Sequence, residues 1–260
     1  MTAPEGTANG SEAPKIPARE VRPLLRRHYR AVTVDGCTHA GFRILLDGKT
    51  LRTPAKAVLV LPTRALAEAV AAEWAAQSEH IDPSTMPLTR LVNSAIDGVR
   101  GREAEVRNAI AKYAESDLLC YRAETPEELV ARQMYAWQPW LDWAASAYDA
   151  PLRVGSGIGY VRQHRGSVAA LRGAVAALDV AALAALGVAV PALGSLVLGL
   201  AMAAGRLDAA AAHALGALDE LFQVEAWGED AEAAARRAAI AADVHLAARF
   251  LQLTRPAVSA

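Results

Sequence analysis

The chain has 260 residues, of which 53% are hydrophobic and 21% charged, enough apolar side chain for one large packed domain or two small ones. Its formal net charge of −1 lacks the basic excess of nucleic-acid-binding proteins, which argues against that class. The two cysteines, Cys37 and Cys120, have no CxxC spacing, which argues against a disulfide framework and fits a reducing compartment such as the cytoplasm.

Residues 1–24 consist mainly of Ala, Pro, Gly, Ser and Glu and hold few large apolar side chains. We therefore expect a disordered tail, because such a segment cannot bury enough apolar surface to fold. The same composition lacks the apolar core of a signal peptide, and its acidic residues disfavour a transit peptide.

The stretch Val180–Gly205 is uncharged over 26 residues and is long enough to cross a bilayer. Its many alanines, with Gly187, Pro191 and Gly194 among them, instead favour buried helices of a soluble bundle. We predict that Val188–Pro191 separates two short helices, because proline disrupts the interior of a helix. We expect no stable membrane insertion.

Alternating apolar residues predict an antiparallel sheet in the first part of the chain. A strand over Tyr29–Val34 is followed by Asp35–Gly36, which predicts a turn. The strand Phe42–Leu46 leads into Asp47–Gly48, the strongest short hairpin signal in the sequence. A helix with Thr63 as its expected N-cap follows and would cover this sheet.

From residue 125 onward the apolar residues recur with helical spacing. Thr125 is the expected N-cap of a long helix with Pro126 at its first position. In this helix Trp137, Trp140 and Trp143 recur every three residues, which is more typical of a packed core than of a ligand-binding box. Further helices are predicted over residues 165–178, 181–186, 193–204, 208–227 and 230–253.

These patterns predict the α+β class, with a small N-terminal antiparallel β-sheet and covering helices followed by a C-terminal all-α orthogonal helix bundle. We place a disordered tail at 1–24, an N-terminal α/β domain at 25–118 and a helical domain at 119–256. The segment Asp117–Arg122 lies at this boundary and has lost the helical period. It predicts a buried strand with an ion pair between Asp117 and Arg122, and direct binding of a partner is the alternative.

The segment Asp219–Asp230 contains five acidic residues and no basic one. At about 100° per residue, Glu225 falls on the stripe that carries Leu221 and Phe222, where a carboxylate needs a partner. Gly228 then breaks the helical run. Two interpretations remain open, a solvated acidic helix end and a recognition site for a basic or polar partner surface.

An enzyme reading is the alternative for the same segment. Glu225 and Glu229 are four residues apart, so one helix face could hold both as an acid pair or as ligands of a metal, with His245 joining from the last helix. This would be a metal- or carboxylate-dependent hydrolase. The sequence lacks the Glu-x-x-His repeats of a di-iron bundle and the Gly-x-Ser-x-Gly motif of serine hydrolases, so no catalytic constellation supports it.

Several short motifs, taken in their order along the chain, resemble those of one family. They are residues 45–55, 61–63, 73–74, 86–89, 93–97, 116–122 and 218–230. The set resembles the F1-ATPase assembly chaperone that acts on the alpha subunit, a family of mitochondria and alphaproteobacteria. The resemblance covers roughly residues 27–253, and the ordered set is more specific than any one motif.

The resemblance implies a chaperone rather than an enzyme, with no catalytic residues, metal or cofactor. It implies binding of the unassembled F1 alpha subunit and shielding of the surface that later meets the beta subunit. On that basis the candidate partner-binding residues are Glu220, Glu225, Trp227, Gly228, Glu229 and Asp230. We expect a monomer when free, in the bacterial cytoplasm, with eukaryotic relatives in the mitochondrial matrix.

Overall fold

The computed structural model describes residues 24–37 and 41–256, so the predicted tail lies outside the described residues except for Leu24. The strands are β1 Leu25–Arg26, β2 Val32–Cys37, β3 Gly41–Leu46, β4 Lys49–Thr50, β5 Val60–Leu61, β6 His80–Ile81, β7 Tyr121–Arg122 and β8 Gly155–Ser156. The helices are α1 Arg64–Ala75, α2 Pro87–Asn93, α3 Glu103–Ala111, α4 Glu127–Tyr148, α5 Arg165–Ala176, α6 Val180–Leu193, α7 Leu196–Ala203, α8 Ala209–Gly216, α9 Leu218–Trp227 and α10 Ala231–Thr254. Short sheets thus precede a helical C-terminal region, as predicted.

Strand β3 is the centre of the main sheet and pairs antiparallel with β2, β4 and β5. The hairpin between β3 and β4 turns at Asp47 and Gly48, with φ of 48° and 79°, a conformation that favours the Asp-Gly pair. The Asp47 carboxylate accepts hydrogen bonds from the backbone N–H groups of Ala31 at 2.8 Å and Arg30 at 3.1 Å. These bonds lower the pKa of Asp47 and fix the entry to β2.

The predicted turn at Asp35–Gly36 is wrong, because both residues continue β2 and pair with Arg43 and Phe42 of β3. The carboxylate of Asp35 lies 2.5 Å from a guanidinium nitrogen of Arg43 directly across the ladder. Opposite charges on facing strands stabilise the pairing, which the local Asp-Gly signal could not reveal.

Helix α1 covers the sheet and also fixes the start of α2. The hydroxyl of Thr63 accepts the N–H of Leu66 at 3.2 Å, which confirms the predicted N-cap. In the last turn of α1, the Glu73 carboxylate accepts the N–H groups of Leu88 and Thr89, each at 2.8 Å. A carboxylate at a helix N-terminus stabilises the orphan N–H groups there.

Helix α6 lies at the centre of the helical region and packs against α3, α7, α8 and α10. The predicted break at Val188–Pro191 is wrong, since α6 continues through Pro191 and ends at Gly194, whose φ is 64°. Pro191 lies in the last turn, and burial of a helix that is apolar on nearly every side offsets the missing hydrogen bond. Within the described residues, no helix is both long and apolar enough to span a membrane.

Two other helix boundaries differ from the prediction. The helix predicted over residues 208–227 is divided at Ala217 into α8 and α9. Helix α4 begins after Pro126, so Thr125 is not its N-cap.

The three tryptophans of α4 belong to the core as predicted, with Trp137 fully buried. Contacts of α1 with α10 and of α3 with α6 cross the predicted domain boundary, which stays a prediction.

Candidate functional site

The acidic segment forms the corner where α9 ends and α10 begins. Gly228 ends α9 with a φ of 87°, a backbone conformation that side chains other than glycine rarely adopt. Asp230 then caps α10, because its carboxylate accepts the N–H of Ala233 at 2.9 Å. The chain therefore turns within the three residues 228–230, and this brings Glu220 of α9 and Glu229 of the corner against α10.

A buried arginine of α10 organises the inner side of this corner. Arg237 is only 7% exposed, and its guanidinium lies 2.6 Å from Glu229 and 3.6 Å from Glu220. Arg236 also approaches Glu220, at 3.7 Å. Its position four residues after Glu232 would allow an ion pair on the same helix, but Arg236 does not form that pair. Oxygen Oε2 of Glu220 is buried without a hydrogen-bond partner, so its charge is neutralised only by these arginines.

Glu225 is held on the outer side of the corner. Its carboxylate lies 2.7 Å from Arg132 of α4, and the Arg132 guanidinium also covers the ring of Phe222, 5.1 Å from the ring centroid. The side chain is 57% exposed, so the expected place on a buried stripe is wrong. Helix α9 buries only Leu218 fully, and its second half is a surface helix.

Trp227, the last residue of α9, is 80% exposed. A side chain of this size is usually at least partly buried, since the indole ring carries a large apolar surface. Here it projects from the corner that also carries Glu225 and Glu229, each of which is bound to an arginine. This combination of a bare aromatic ring and fixed charges is typical of a protein-binding surface.

The acid pair that an enzyme would need is not formed. Glu225 is directed to Arg132 on α4, and Glu229 to Arg237 on α10. In the described part of the chain, no three His, Cys, Asp or Glu side chains converge as metal ligands, and the His245 ring is hydrogen-bonded to the carbonyl of Ala241.

Comparison with known proteins places the chain in a family. A model of the ATP12 chaperone protein family matches residues 26–145. The crystal structure of Atp12 from Paracoccus denitrificans is 46% identical in sequence, with a TM-score of 0.86, over 89% of this chain and 99% of that one. The chain belongs to the ATP12 chaperone family. This assignment confirms the resemblance drawn from the sequence motifs.

A second solved structure supports the same fold. The crystal structure of a candidate chaperone from Agrobacterium tumefaciens is 44% identical, with a TM-score of 0.85, over 90% of this chain and 88% of that one. Membership of the ATP12 family assigns the protein to the assembly chaperones of ATP synthase and supports a non-enzymatic role.

Several motif residues that carry the family resemblance have structural roles. Glu73 caps α2, as described above, and the Asp97 carboxylate accepts the hydroxyl of Thr53 at 2.7 Å and the N–H of Ala55 at 3.1 Å. These bonds fix the loop that follows the hairpin. These motif residues therefore stabilise the ATP12 fold, whereas Trp227 of the motif at residues 218–230 is left exposed at the α9–α10 corner.

The predicted ion pair between Asp117 and Arg122 is wrong. Asp117 is fully buried and accepts the N–H groups of Leu119 at 3.1 Å and Val197 at 3.0 Å. Arg122 instead donates to the backbone carbonyls of Leu119 and Gln133, at 3.1 Å and 2.5 Å. Neighbouring backbone groups thus take the place of the expected ion pair.

Sequence reasoning missed the residues that hold the corner from other helices. Arg132 pairs with Glu225, and the next residue, Gln133, donates to Asp219 at 2.7 Å. Both lie on α4, about ninety residues before their partners. Only a surplus of carboxylates in residues 207–235, without any Lys or Arg, signalled that cations must come from elsewhere.

We expect Glu225→Gln to change the free energy of unfolding by less than about 1 kcal/mol, because an exposed ion pair contributes little. Urea denaturation of this variant beside the wild type measures the change. A loss of several kcal/mol would mean that Glu225 is a buried structural partner after all.

Proposed function

We propose that this ATP12-family protein binds the unassembled alpha subunit of F1 and shields the surface that later contacts the beta subunit. The observation that carries the proposal is the α9–α10 corner, where Trp227 is 80% exposed beside fixed carboxylates. An unassembled subunit exposes an apolar interface, which needs an apolar contact and polar groups that set the register.

The corner supplies both kinds of contact. The Trp227 ring offers the apolar contact, and aromatic side chains of this size are frequent hot spots of interfaces. Glu225 and Glu229 lie beside it, more than half exposed, and each is oriented by one arginine. Preoriented charges lose less side-chain freedom on binding, so they favour a specific partner with basic or polar groups.

Co-purification tests the proposal. The tagged chain is co-expressed with the F1 alpha subunit alone and, in parallel, with the beta subunit alone. We expect the alpha subunit to be retained and the beta subunit to be lost during washing. Equal retention of both subunits, or of neither, would contradict the proposal of an alpha-specific chaperone.

The proposed role requires the protein to be where F1 is assembled. For a bacterial protein this compartment is the cytoplasm, and for eukaryotic relatives it is the mitochondrial matrix. Binding and shielding use only side chains of this chain, so the role calls for no nucleotide or metal. We propose that the free form is a monomer, in which the exposed corner serves to bind the client and not a second copy of this chain.

A further inference from the structure

The outer strand of the main sheet, β2, has an unpaired edge in the part of the chain that the structure describes. Strand β2 pairs on one side with β3, and no described strand pairs with its other side. It spans six residues, whereas β4 and β5 at the opposite edge of the sheet span two each. The edge of β2 is therefore the longest open row of backbone N–H and C=O groups among the described strands, and such a row can pair with another chain.

The ladder with β3 determines which backbone groups of β2 face this edge. The carbonyl of Ala31 accepts the N–H of Asp47 at 3.0 Å, so the backbone groups of Ala31 and of every second residue after it face β3. Those of Val32, Val34 and Gly36 face outward, and within the described residues they have no hydrogen-bond partner. Gly36 is exposed and the two valines are partly exposed, so a partner can reach this row.

The edge also lacks the features that usually prevent strand addition. Helix α1 packs against β2, β3 and β5, which lie side by side, so it covers a face of the sheet and leaves the β2 edge open. The pairing with β3 runs without a bulge from Val32 to Cys37, and β2 contains no Lys or Pro. The charge of Asp35 is already paired with Arg43 of β3. Bulges, Lys, Pro and unpaired charges are the devices that protect natural edge strands.

The two faces of β2 determine which side chains an added strand should carry. Val32 and Val34 are partly buried against the core and lie opposite the buried Leu46 and Ile44 of β3. Thr33 is directed to the other face and is exposed. Successive side chains of a strand alternate between the faces, so a strand that continues this sheet should alternate apolar and polar residues.

We propose that an extended segment of the client polypeptide adds to the edge of β2 as a further strand. The outward groups select this occupant, because a polypeptide backbone repeats a donor and an acceptor about every 7 Å, the spacing of alternate residues in a strand. Main-chain hydrogen bonds then provide affinity, and the alternating side chains provide specificity. The identity of the client, the F1 alpha subunit, rests on the proposed function.

Hydrogen–deuterium exchange of the full-length chain, resolved at single amides, tests strand addition directly. In the free chain the amides of Val32, Val34 and Gly36 should exchange quickly. Those of Thr33 and Asp35 should exchange slowly, because they are paired with β3. Saturation with the isolated alpha subunit should slow exchange at the first three amides at least tenfold. Unchanged exchange in the complex would overturn the inference, and so would slow exchange in the free chain, since a second copy or another segment of this chain would then occupy the edge.

A matched pair of variants at Gly36 tests the contribution of the edge to affinity. Gly36→Pro removes one outward N–H and places its ring at the edge, while the donors to β3 remain. The control Gly36→Ala keeps the N–H, and its Cβ would lie 3.7 Å from the Phe42 ring, an ordinary contact distance. We expect Gly36→Pro to bind the alpha subunit about tenfold more weakly than Gly36→Ala, because an acceptor of the added strand is left unpaired.

Slow exchange at Thr33 in both variants establishes that the ladder between β2 and β3 is intact. Equal affinity of two folded variants would overturn the inference. If Gly36→Pro does not fold, the exchange measurement on the wild type decides.

The proposed function has a separate readout, the retention of the alpha subunit in co-purification. If the subunit is retained but exchange at the three outward amides is unchanged, strand addition fails and the proposed function stands. If the subunit is not retained, short peptides that tile its sequence become the probes. Slower exchange at the same three amides with any of these peptides would support strand addition although the proposed function fails, and no slowing by any peptide would overturn both.

Discussion

Replacing Asp117 by alanine is expected to lower the free energy of unfolding by about 2–4 kcal/mol, because buried donors lose a charged acceptor. The carboxylate binds the N–H groups of Leu119 and of Val197, so it connects the segment after α3 to the N-terminus of α7. The site is closed to bulk solvent, since Asp117 is fully buried. The helix dipole of α7 adds to the loss, because a negative charge at a helix N-terminus is favourable.

Urea denaturation followed by circular dichroism measures this loss. The matched control is Asp243→Ala, which removes an exposed carboxylate from the interior of α10 and should change stability by at most about 0.5 kcal/mol. If Asp117→Ala were as stable as the control, the hydrogen bonds of Asp117 would not contribute to the stability of this junction.

The effect of Asp117 should also depend on pH. Burial raises the pKa of Asp117 from its ordinary value of 3.8 to about 6, although hydrogen bonds from Val197 and Ser195 oppose the rise. Because the pKa of Asp117 is higher in the folded state, its protonation contributes stability that is fully present below pH 3.8 and is lost as the pH rises through about 6. The difference in stability between wild type and Asp117→Ala should therefore be larger near pH 5 than near pH 7.5, and an equal difference would contradict the raised pKa.

Features that depend on neighbouring residues could be predicted from the sequence. The Asp47–Gly48 hairpin and the N-cap at Thr63 each involve groups within a few positions. The order of strands and then helices followed from the same local periodicities. The family resemblance added the function, which no local pattern could supply.

Features that depend on tertiary packing could not be predicted in this way. The propensity of proline to end helices suggested a break near Pro191, but burial of α6 among four helices keeps that segment helical. Glu225 falls on the apolar stripe of its own helix by sequence spacing. The second half of α9 nevertheless lies at the surface, and Arg132 of α4 pairs with Glu225 there. Likewise, the acidic pattern of this segment cannot show that Arg237 will be buried against Glu220 and Glu229.

Replacing Trp227 by alanine is expected to weaken binding of the alpha subunit by about 2 kcal/mol or more, roughly thirtyfold, as for other interface hot spots. The free energy of unfolding should change by at most about 0.5 kcal/mol, because the ring is 80% exposed and leaves no cavity. Binding and folding are therefore separable at this residue, unlike at Asp117.

Titration of the isolated alpha subunit with wild type and Trp227→Ala measures the first effect, and urea denaturation measures the second. The control is Tyr160→Ala, which removes another exposed aromatic ring, 68% exposed, from the loop before α5. If the client is recognised through the α9–α10 corner, Trp227→Ala should lose affinity for the alpha subunit and Tyr160→Ala should keep nearly all of it. Equal losses would indicate general apolar attraction, and no loss for Trp227→Ala would contradict the role of Trp227 as a binding hot spot.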